Sequence, residues 1–476
     1  MRKGAWWQDR TPAGTLRWLE IVRLGLVQTA LGAIVVLTTS TLNRVMVVEW
    51  QLAAMIPGAL VALHYAVQIT RPKWGHGSDV GQRRTPWIVG GMGTLAIAGV
   101  GASAATALMG SNMILGLCVA VVSFLFIGVG VGASGTSLLA LLASRVTERR
   151  RAAAATIVWL MMIAGMAITA TIVGKILDPF SPLRLLAVTG GVCVLAFLMT
   201  CLAVRGVEDR VSAVPTAPRP DVTAEPGKSA FKQALLETWA EPEARRFTIF
   251  VFMSMLAYSA QDLILEPFAG LVFGMTPGET TSLAGMQHQG VFFGMLGVAI
   301  ACSLIGGRRL GSLRMWTVGG CVASALALFA LAMSGSYATV WPLKLTVFAL
   351  GLANGAFAVA AIGSMMALAG KGRGGREGTR MGLWGAAQAI AFGLGGFAGT
   401  VAIDAARAVY QDPIISYAIV FTAEGALFLV AALLATQIRS TGSTRSERET
   451  ATRETIGDFK PNQADAIGGG YAAGDD

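Results

Sequence analysis

The sequence predicts an all-α membrane protein with twelve transmembrane helices in two six-helix halves. The main observation is a series of apolar stretches, each about twenty residues long and nearly free of charge, which is enough to cross a hydrocarbon layer of about 30 Å as a helix. Composition agrees, because 54% of the 476 residues are hydrophobic, only 13% are charged and the mean hydropathy is +0.62. A soluble globule of this size needs more polar surface than that.

Each helix corresponds to one apolar run. The runs of the first half lie at 24–43, 51–70, 86–109, 114–138, 152–174 and 184–204, and those of the second half at 247–268, 283–306, 315–334, 343–369, 381–403 and 413–436. The chain therefore divides into an N-terminal segment, a six-helix bundle, a middle loop, a second six-helix bundle and a tail, at 1–23, 24–204, 205–246, 247–436 and 437–476. The 59 glycines predict close helix packing, since small side chains let helices approach in lipid.

The segments outside the bundles also have patterns. Before the first run, charged residues recur at every third position, which predicts a helix lying on the membrane interface: Arg17, Glu20 and Arg23. The middle loop is rich in proline, and then Phe231, Leu235 and Trp239 follow at helical spacing, which predicts a second interfacial helix. The polar, mixed-charge tail is expected to be disordered.

Orientation follows from the basic residues. With a cytoplasmic N-terminus, 32 of the 37 Lys and Arg fall on the cytoplasmic side, and the opposite side keeps only Arg44, Lys175, Arg184, Lys344 and Arg407. This asymmetry predicts that both termini are cytoplasmic. The net charge of +10 is therefore a topology signal that also favours anionic lipid head groups, and not a sign of nucleic-acid binding.

Several classes of chemistry lack their motifs. The five cysteines all lie inside apolar runs without CxxC spacing, which argues against disulfides and a zinc site. Prenyl transfer would need paired aspartates that bind magnesium and diphosphate, and the chain has no such pair, no Walker loop and no nucleophile elbow. We therefore expect a protein that is not an enzyme.

Ionisable side chains inside the predicted helices are candidate functional residues, because each costs about 2.5 to 3.5 kcal/mol at mid-depth. Asp262 and Glu266 are spaced i, i+4, which puts both carboxylates on one helix face near its periplasmic end. Gln287, His288 and Gln289 begin the next helix at a similar depth. The expected cluster has three interpretations: a magnesium-tetrapyrrole site with His288 as axial ligand and a carboxylate fixing its tautomer, a proton-coupling site, or a structural polar contact.

Two other intramembrane groups are candidates. His64 either ligates a pigment metal or hydrogen-bonds to a neighbouring helix. Glu424 lies near mid-depth by position, so we expect its side chain to line the bundle interior and not to face lipid.

The loop after the second run, GHGSDVGQRRTPW, resembles the conserved cytoplasmic loop of the major facilitator superfamily. Its Gly75, Asp79, Gly81, Arg83 and Arg84 match the glycines, acid and basic pair of that loop, with Val80 at a position that is usually basic. The resemblance implies a major facilitator superfamily-like fold, in which these residues close the cytoplasmic side against a neighbouring helix end.

Two longer blocks are more specific. The segments beginning LNRVMVVEWQLAAMIPGALVALHYAV and AYSAQDLILEPFAGLVFGMTPGETT are similar to the PucC family of photosynthetic bacteria, and the likeness covers essentially all twelve helices. Within that family the chain most resembles the LhaA branch, which is associated with the core antenna around the reaction centre.

The PucC resemblance implies an assembly factor for light-harvesting antenna complexes in the bacterial cytoplasmic (intracytoplasmic photosynthetic) membrane. It implies that single-span antenna polypeptides are partners, together with the machinery of bacteriochlorophyll biosynthesis and membrane insertion. It also implies that bacteriochlorophyll is the pigment handled, and it leaves open whether a carotenoid is bound. The alternative is a proton-coupled transporter of an amphipathic small molecule, which the fold together with Asp262, Glu266, His288 and Glu424 would support. Fold alone does not decide between them.

Overall fold

Helices form nearly all of the described part of the chain. The computed structural model describes residues 15–70, 83–208, 239–304, 312–369 and 377–437. We number its long helices α1 (Trp18–Glu49), α2 (Met55–Val67), α3 (Thr85–Leu108), α4 (Met113–Arg145), α5 (Glu148–Ile176), α6 (Pro182–Val204), α7 (Pro242–Phe273), α8 (Pro277–Leu304), α9 (Leu313–Ser334), α10 (Leu343–Ala369), α11 (Glu377–Tyr410) and α12 (Pro413–Gln437).

Within those ranges, eleven helices are long and apolar enough to span a membrane. The twelfth, α2, has 13 residues and is extended by a 3-10 turn, Gln68–Thr70. The prediction of twelve helices in two halves is confirmed. The loop residues Gly75, Asp79 and Gly81, most of the middle loop and the tail lie outside the described residues.

Most helices are longer than their apolar runs. Helix α1 covers Trp18–Glu49 and not 24–43, and it contains two π-helical turns, Leu37–Thr41 and Val45–Glu49. We predicted an interfacial helix within residues 1–23; of that segment the structure describes residues 15–23, and the residues from Trp18 onward form the first turns of α1. The Arg17 N–H donates to Glu20 Oε2 at 2.8 Å there. Hydropathy marks the hydrocarbon layer, whereas helical hydrogen bonds continue through charged turns whose long side chains reach the interface.

The two halves repeat one packing pattern. In the first half α1 packs on α5 and α6, α3 packs on α4 and α6, and α2 packs on α4. In the second half α7 packs on α11 and α12, α9 packs on α10 and α12, and α8 packs on α10. The sets correspond helix by helix, as in an internal structural repeat. Between the halves, α2 packs on α11 and α5 packs on α8. These two contacts are equivalent, because α2 corresponds to α8 and α5 corresponds to α11 in the repeat.

We call the side of the bundle that holds Glu49 and Met55 the distal face. The odd-numbered helices end on this side, and the even-numbered helices begin on it. The opposite side is the proximal face. The orientation predicted above makes the distal face periplasmic.

Helices α8 and α10 cross unusually closely in the second half. A Cβ atom on Gly351 would lie 2.1 Å from the Gln287 carbonyl oxygen, and one on Gly294 would lie 2.2 Å from the Leu352 carbonyl oxygen. Real Cβ atoms do not come so near, so the crossing requires glycine at these positions. This contact fixes the position of the α8 segment that carries Gln287, His288 and Gln289.

Candidate functional site

Polar side chains collect where α7 meets α8. Asp262 lies eleven residues before the end of α7, so it is closer to mid-depth than the predicted helix end at 268 implied. The Gln287 side-chain amide approaches Asp262 Oδ1 at 3.5 Å, which is the outer limit for a hydrogen bond. The structure thus brings together the carboxylate and the glutamine that the sequence placed at similar depth.

Glu266, one turn further along α7, faces a basic residue that we had not predicted as part of a site. Its side chain is 2% exposed, and neither carboxyl oxygen has a hydrogen-bond partner among the described residues. The Ser40 and Thr280 hydroxyls and the Arg44 guanidinium lie near it without meeting hydrogen-bond geometry. The carboxyl group is therefore a buried polar group whose hydrogen-bonding capacity is unused.

Arg44 joins the two halves at this point. It is 2% exposed, its guanidinium pairs with Glu49, and its Nη2 donates to the Met275 carbonyl oxygen at 2.8 Å across the seam between the halves. The neighbouring Asn43 amide donates to the Leu263 carbonyl oxygen on α7 at 2.6 Å. These two bonds attach the end of α1 to the second half.

His288 is buried, with 7% exposure, and its ring is oriented differently from our expectation. Nδ1 lies 2.8 Å from the Ala284 carbonyl oxygen one turn earlier on α8, and not on Asp262 or Glu266. The predicted carboxylate–imidazole contact is therefore wrong, because a helix carbonyl already provides a nearer acceptor. With Nδ1–H donated to Ala284, Nε2 carries the lone pair, and it has no hydrogen-bond partner among the described residues.

The other two members of the triplet point away from each other. Gln287 contacts Asp262 within its own half, whereas the Gln289 amide donates to Thr171 Oγ1 on α5 at 3.1 Å, across the seam. The triplet therefore contacts the first half across the seam through Gln289 and contacts α7 of the second half through Gln287. Among the described residues, no group of three or more His, Cys, Asp and Glu side chains is placed to hold a metal ion.

Glu424 on α12 lies inside the second half, as predicted. It is 3% exposed, and both carboxyl oxygens are without hydrogen-bond partners in the described part of the chain. The Asp262 carboxyl of α7 lies within electrostatic range of it. Next to Asp262 on α7, Tyr258 packs on Phe392 of α11 with ring centroids 5.8 Å apart, and Phe392 also packs on Tyr65 of α2 at 5.7 Å. Aromatic rings from both halves therefore meet one helical turn from Asp262.

His64 on α2 is held by its neighbours. It is 1% exposed, its Nε2 lies 2.8 Å from the Gln68 amide nitrogen, and its ring packs on Tyr65. An amide N–H donated to Nε2 uses the lone pair that a pigment metal would need. These contacts favour the structural interpretation of His64.

The described end of the predicted gating loop is also anchored. Arg84 donates from Nη1 to the Ala140 carbonyl oxygen of α4 at 2.5 Å, a contact with a neighbouring helix end of the kind that the superfamily resemblance implied. Arg83 is exposed. The backbone N–H groups of Arg84 and Thr85 donate to Glu208 at 2.7 and 2.9 Å. Burial alone would raise the pKa of Glu208, but these bonds and the Thr85 side chain together lower it below its ordinary value.

A different kind of site lies on the outside of the second half. Helices α8 and α9 make little direct contact and both pack on α10, which leaves an open apolar groove of about 990 Å³ between them. Ten of its eighteen lining residues are Gly or Ala, and we call it the α8–α10 groove. Among the described residues, no atom outside its own stretch of helix backbone lies within 4 Å of where a Cβ would stand at position 297 or 319, so these glycines open into the groove.

Neither Arg44 nor the α8–α10 groove was predicted from the sequence as part of a site. Arg44 follows an apolar run, so it was counted as a flanking charge and the helix was ended too early. The groove has a sequence signal in the glycines and alanines of α8, α9 and α10, but that signal does not say which helices leave a space between them.

Comparison with known proteins agrees with the architecture. A family model described as PUCC protein matches residues 41–443. The chain is 54% identical over 426 residues to the "Bacteriochlorophyll synthase 44.5 kDa chain" of Rhodobacter capsulatus, which covers 89% of this chain and 96% of that protein. It is 30% identical over 440 residues to "Protein PucC" of Cereibacter sphaeroides, covering 88% and 92% of the two chains.

Solved structures show the same fold at low identity. A D-xylose-proton symporter superposes with a TM-score of 0.66 at 15% identity, covering 87% of this chain and 96% of the symporter. A bacterial homolog of the human lysosomal transporter Spinster gives 0.64 at 14% identity, covering 90% and 97%. These likenesses concern the fold alone. The family match over residues 41–443 and the 54% identity over most of both chains show that this multi-pass membrane protein belongs to the PUCC family.

Proposed function

We propose that the protein is an assembly factor for a bacterial light-harvesting complex, that it binds single-span antenna polypeptides and that it handles bacteriochlorophyll. Membership of the PUCC family supports the general role, and the α8–α10 groove is the observation that supports polypeptide binding. The proposal assigns no catalytic step to the chain.

The groove suits a membrane-spanning helix. Its lining on α9 runs from Met315 to Ala330, which is about 22 Å along a helix axis and most of the hydrocarbon thickness. The exposed side chains at its rim, Phe293, Leu326 and Leu345, are apolar. Helices in lipid associate through close packing over small residues, so a floor of Gly and Ala favours a helix as the occupant.

His288 is the residue that supports the proposed binding of bacteriochlorophyll. A magnesium tetrapyrrole takes a neutral imidazole nitrogen as axial ligand, and the Ala284 carbonyl fixes the His288 tautomer that leaves Nε2 with its lone pair. His288 therefore has the donor chemistry that this pigment requires, whereas the Nε2 of His64 lies against the Gln68 amide. When bound, the magnesium would provide a Lewis-acid centre for this nitrogen. A carotenoid has no comparable donor requirement, so the described residues give no argument for or against one.

The decisive experiment fills the groove without disturbing the fold. Gly297→Leu with Gly319→Leu places two branched side chains into open space, since in the described part of the chain no neighbouring atom lies within 4 Å of either Cβ position. In a strain that lacks the native gene, we expect this variant to be produced normally, to co-purify with less antenna polypeptide and to lower the absorption of assembled core antenna, while transcription of the antenna genes is unchanged.

The matched control is Gly190→Leu with Gly191→Leu, two glycines of α6 whose Cβ positions also have no described neighbour within 4 Å. It adds the same side chains to the outside of the first half. If the groove variant and the control both retain antenna polypeptides at the level of the unmodified protein, the groove is filled by lipid only and polypeptide docking at this surface is refuted.

A second candidate function is proton-coupled transport of an amphipathic small molecule. The specific observation in its favour is Glu424, a buried acid whose oxygens lack hydrogen-bond partners in the described structure. Gentle detergent isolation separates the two. Coloured protein that carries antenna peptides supports assembly, whereas colourless protein whose reconstituted vesicles show substrate-dependent proton flux, lost in Glu424→Gln, supports transport.

A further inference from the structure

Two carboxylates on the distal face connect the halves in the same way. Asp404 of α11 accepts the backbone N–H groups of Ala54 and Met55 at the start of α2, at 3.0 and 2.7 Å. Asp178, two residues after the end of α5, accepts the Gly278 N–H at 3.2 Å and the Thr276 hydroxyl at 2.5 Å at the start of α8. Each acid belongs to one half, and each helix start belongs to the other.

The two contacts also have the same residue spacing along their helices. Four residues before Asp404, Thr400 lies against Gly58, which is four residues after Ala54. Four residues before Asp178, Gly174 lies against Ser282, which is four residues after Gly278. Because α5 corresponds to α11 and α2 to α8 in the repeat, the internal symmetry relates these contacts, although the local sequences KILDPF and AIDAAR do not resemble each other.

The chemistry explains why an acid stands at both places. The first N–H groups of a helix have no partners within the helix, and the helix dipole makes that end attractive to a negative charge. Helix α2 has no side-chain cap of its own, so Asp404 supplies it from the other half. At the start of α8 the Thr276 hydroxyl accepts the Glu279 N–H as part of a capping box. The same hydroxyl donates to Asp178, so the capping box is also bonded to the first half.

We infer that Asp178 and Asp404 are a symmetric pair of clasps that hold the two halves together on the distal face, and that separation of the halves there requires both to release. The buried seam beneath them includes Thr41 and Thr281, whose hydroxyls lie 3.2 Å apart across the halves.

The test measures access to that seam. In the full chain with its five cysteines replaced, Thr281→Cys is placed at a position that is 1% exposed, and its reaction with a membrane-impermeant maleimide is timed in detergent. We expect Asp178→Asn with Asp404→Asn to speed labelling about tenfold, which corresponds to about 1.4 kcal/mol in favour of the open form. Each single variant should give a smaller rise, because the other clasp remains.

The control is Asp412→Asn. Asp412 accepts the Ile414 N–H at 2.8 Å at the start of α12 on the same face, but the acid and the helix belong to one half. Its loss should leave labelling unchanged. Ser103→Cys, at a position that is 0% exposed inside the first half, reports unfolding and should stay unlabelled in the double variant.

A second route does not touch either acid. Thr276→Val removes the hydroxyl that donates to Asp178 and should raise labelling of position 281 by a smaller factor. Unchanged labelling in both the double variant and Thr276→Val overturns the inference, as does an equal rise at positions 103 and 281, since that pattern means general unfolding.

Discussion

Replacing Gly351 by alanine should loosen the α8–α10 crossing that positions the Gln287–Gln289 segment. The added Cβ would lie 2.1 Å from the Gln287 carbonyl oxygen, 3.0 Å from its carbonyl carbon and 3.1 Å from the Val291 nitrogen. Ordinary contact begins at about 3.4 Å, so the helices must separate by about 1.3 Å along that direction. All three atoms belong to the backbone, so no side-chain rotation can relieve the clash.

The size of the effect follows from two opposing contributions. Overpacking of a close contact costs about 1 to 3 kcal/mol. Alanine in a helix interior gains about 1 kcal/mol over glycine, which offsets part of that cost. Gly297→Ala is the matched control, because it gives the same propensity gain on α8 with no atom within 4 Å of the new Cβ. The difference between the two variants therefore isolates the clash, at about 1 to 3 kcal/mol.

The assay is thermal unfolding of both variants in the same detergent. For a large domain 1 kcal/mol moves the midpoint by about 2 °C, so Gly351→Ala should unfold about 2 to 6 °C below Gly297→Ala. Equal midpoints, or a more stable Gly351→Ala, would mean that the helices do not cross as closely as described. Gly294→Ala should resemble Gly351→Ala, and the double variant should cost less than the sum, since one separation relieves both clashes.

Two other predictions concern charge. Because the Glu208 pKa is lowered from an ordinary value of 4.5, its contacts with Arg84 and Thr85 should contribute stability that is fully present above pH 4.5 and is lost as the pH falls through the folded-state pKa. The midpoint of unfolding should thus fall with acid, and Glu208→Gln should remove part of that dependence; identical acid profiles would contradict it. From the 32 to 5 distribution of basic residues, reporter fusions after Pro220 and after Thr441 should both report the cytoplasm, and a periplasmic signal at either would overturn the orientation.

The helices were predictable because hydropathy is a local property of twenty residues. Asp262 and Glu266 were found for a similar reason, since a charge inside an apolar run is visible without knowledge of its neighbours. The hydrogen-bond partner of His288 could not be predicted. Both a carbonyl one turn earlier on α8 and a carboxylate on α7 were available, and only the packing of the helices decides between them. The Asp404 contact joins residues 350 positions apart, so no local pattern predicts it.

Polar and apolar candidate surfaces occupy different parts of the molecule, and this makes their roles separable. Arg44, Glu266 and the Asp178 and Asp404 contacts lie along or close to the seam between the halves, where a polar group is shielded from lipid. The α8–α10 groove lies outside the second half and is lined almost entirely by apolar side chains. A helix docked in the groove would therefore meet none of the seam residues. Substitutions that fill the groove should leave access to position 281 unchanged, and clasp substitutions should act on antenna binding only if the two halves and the groove move together.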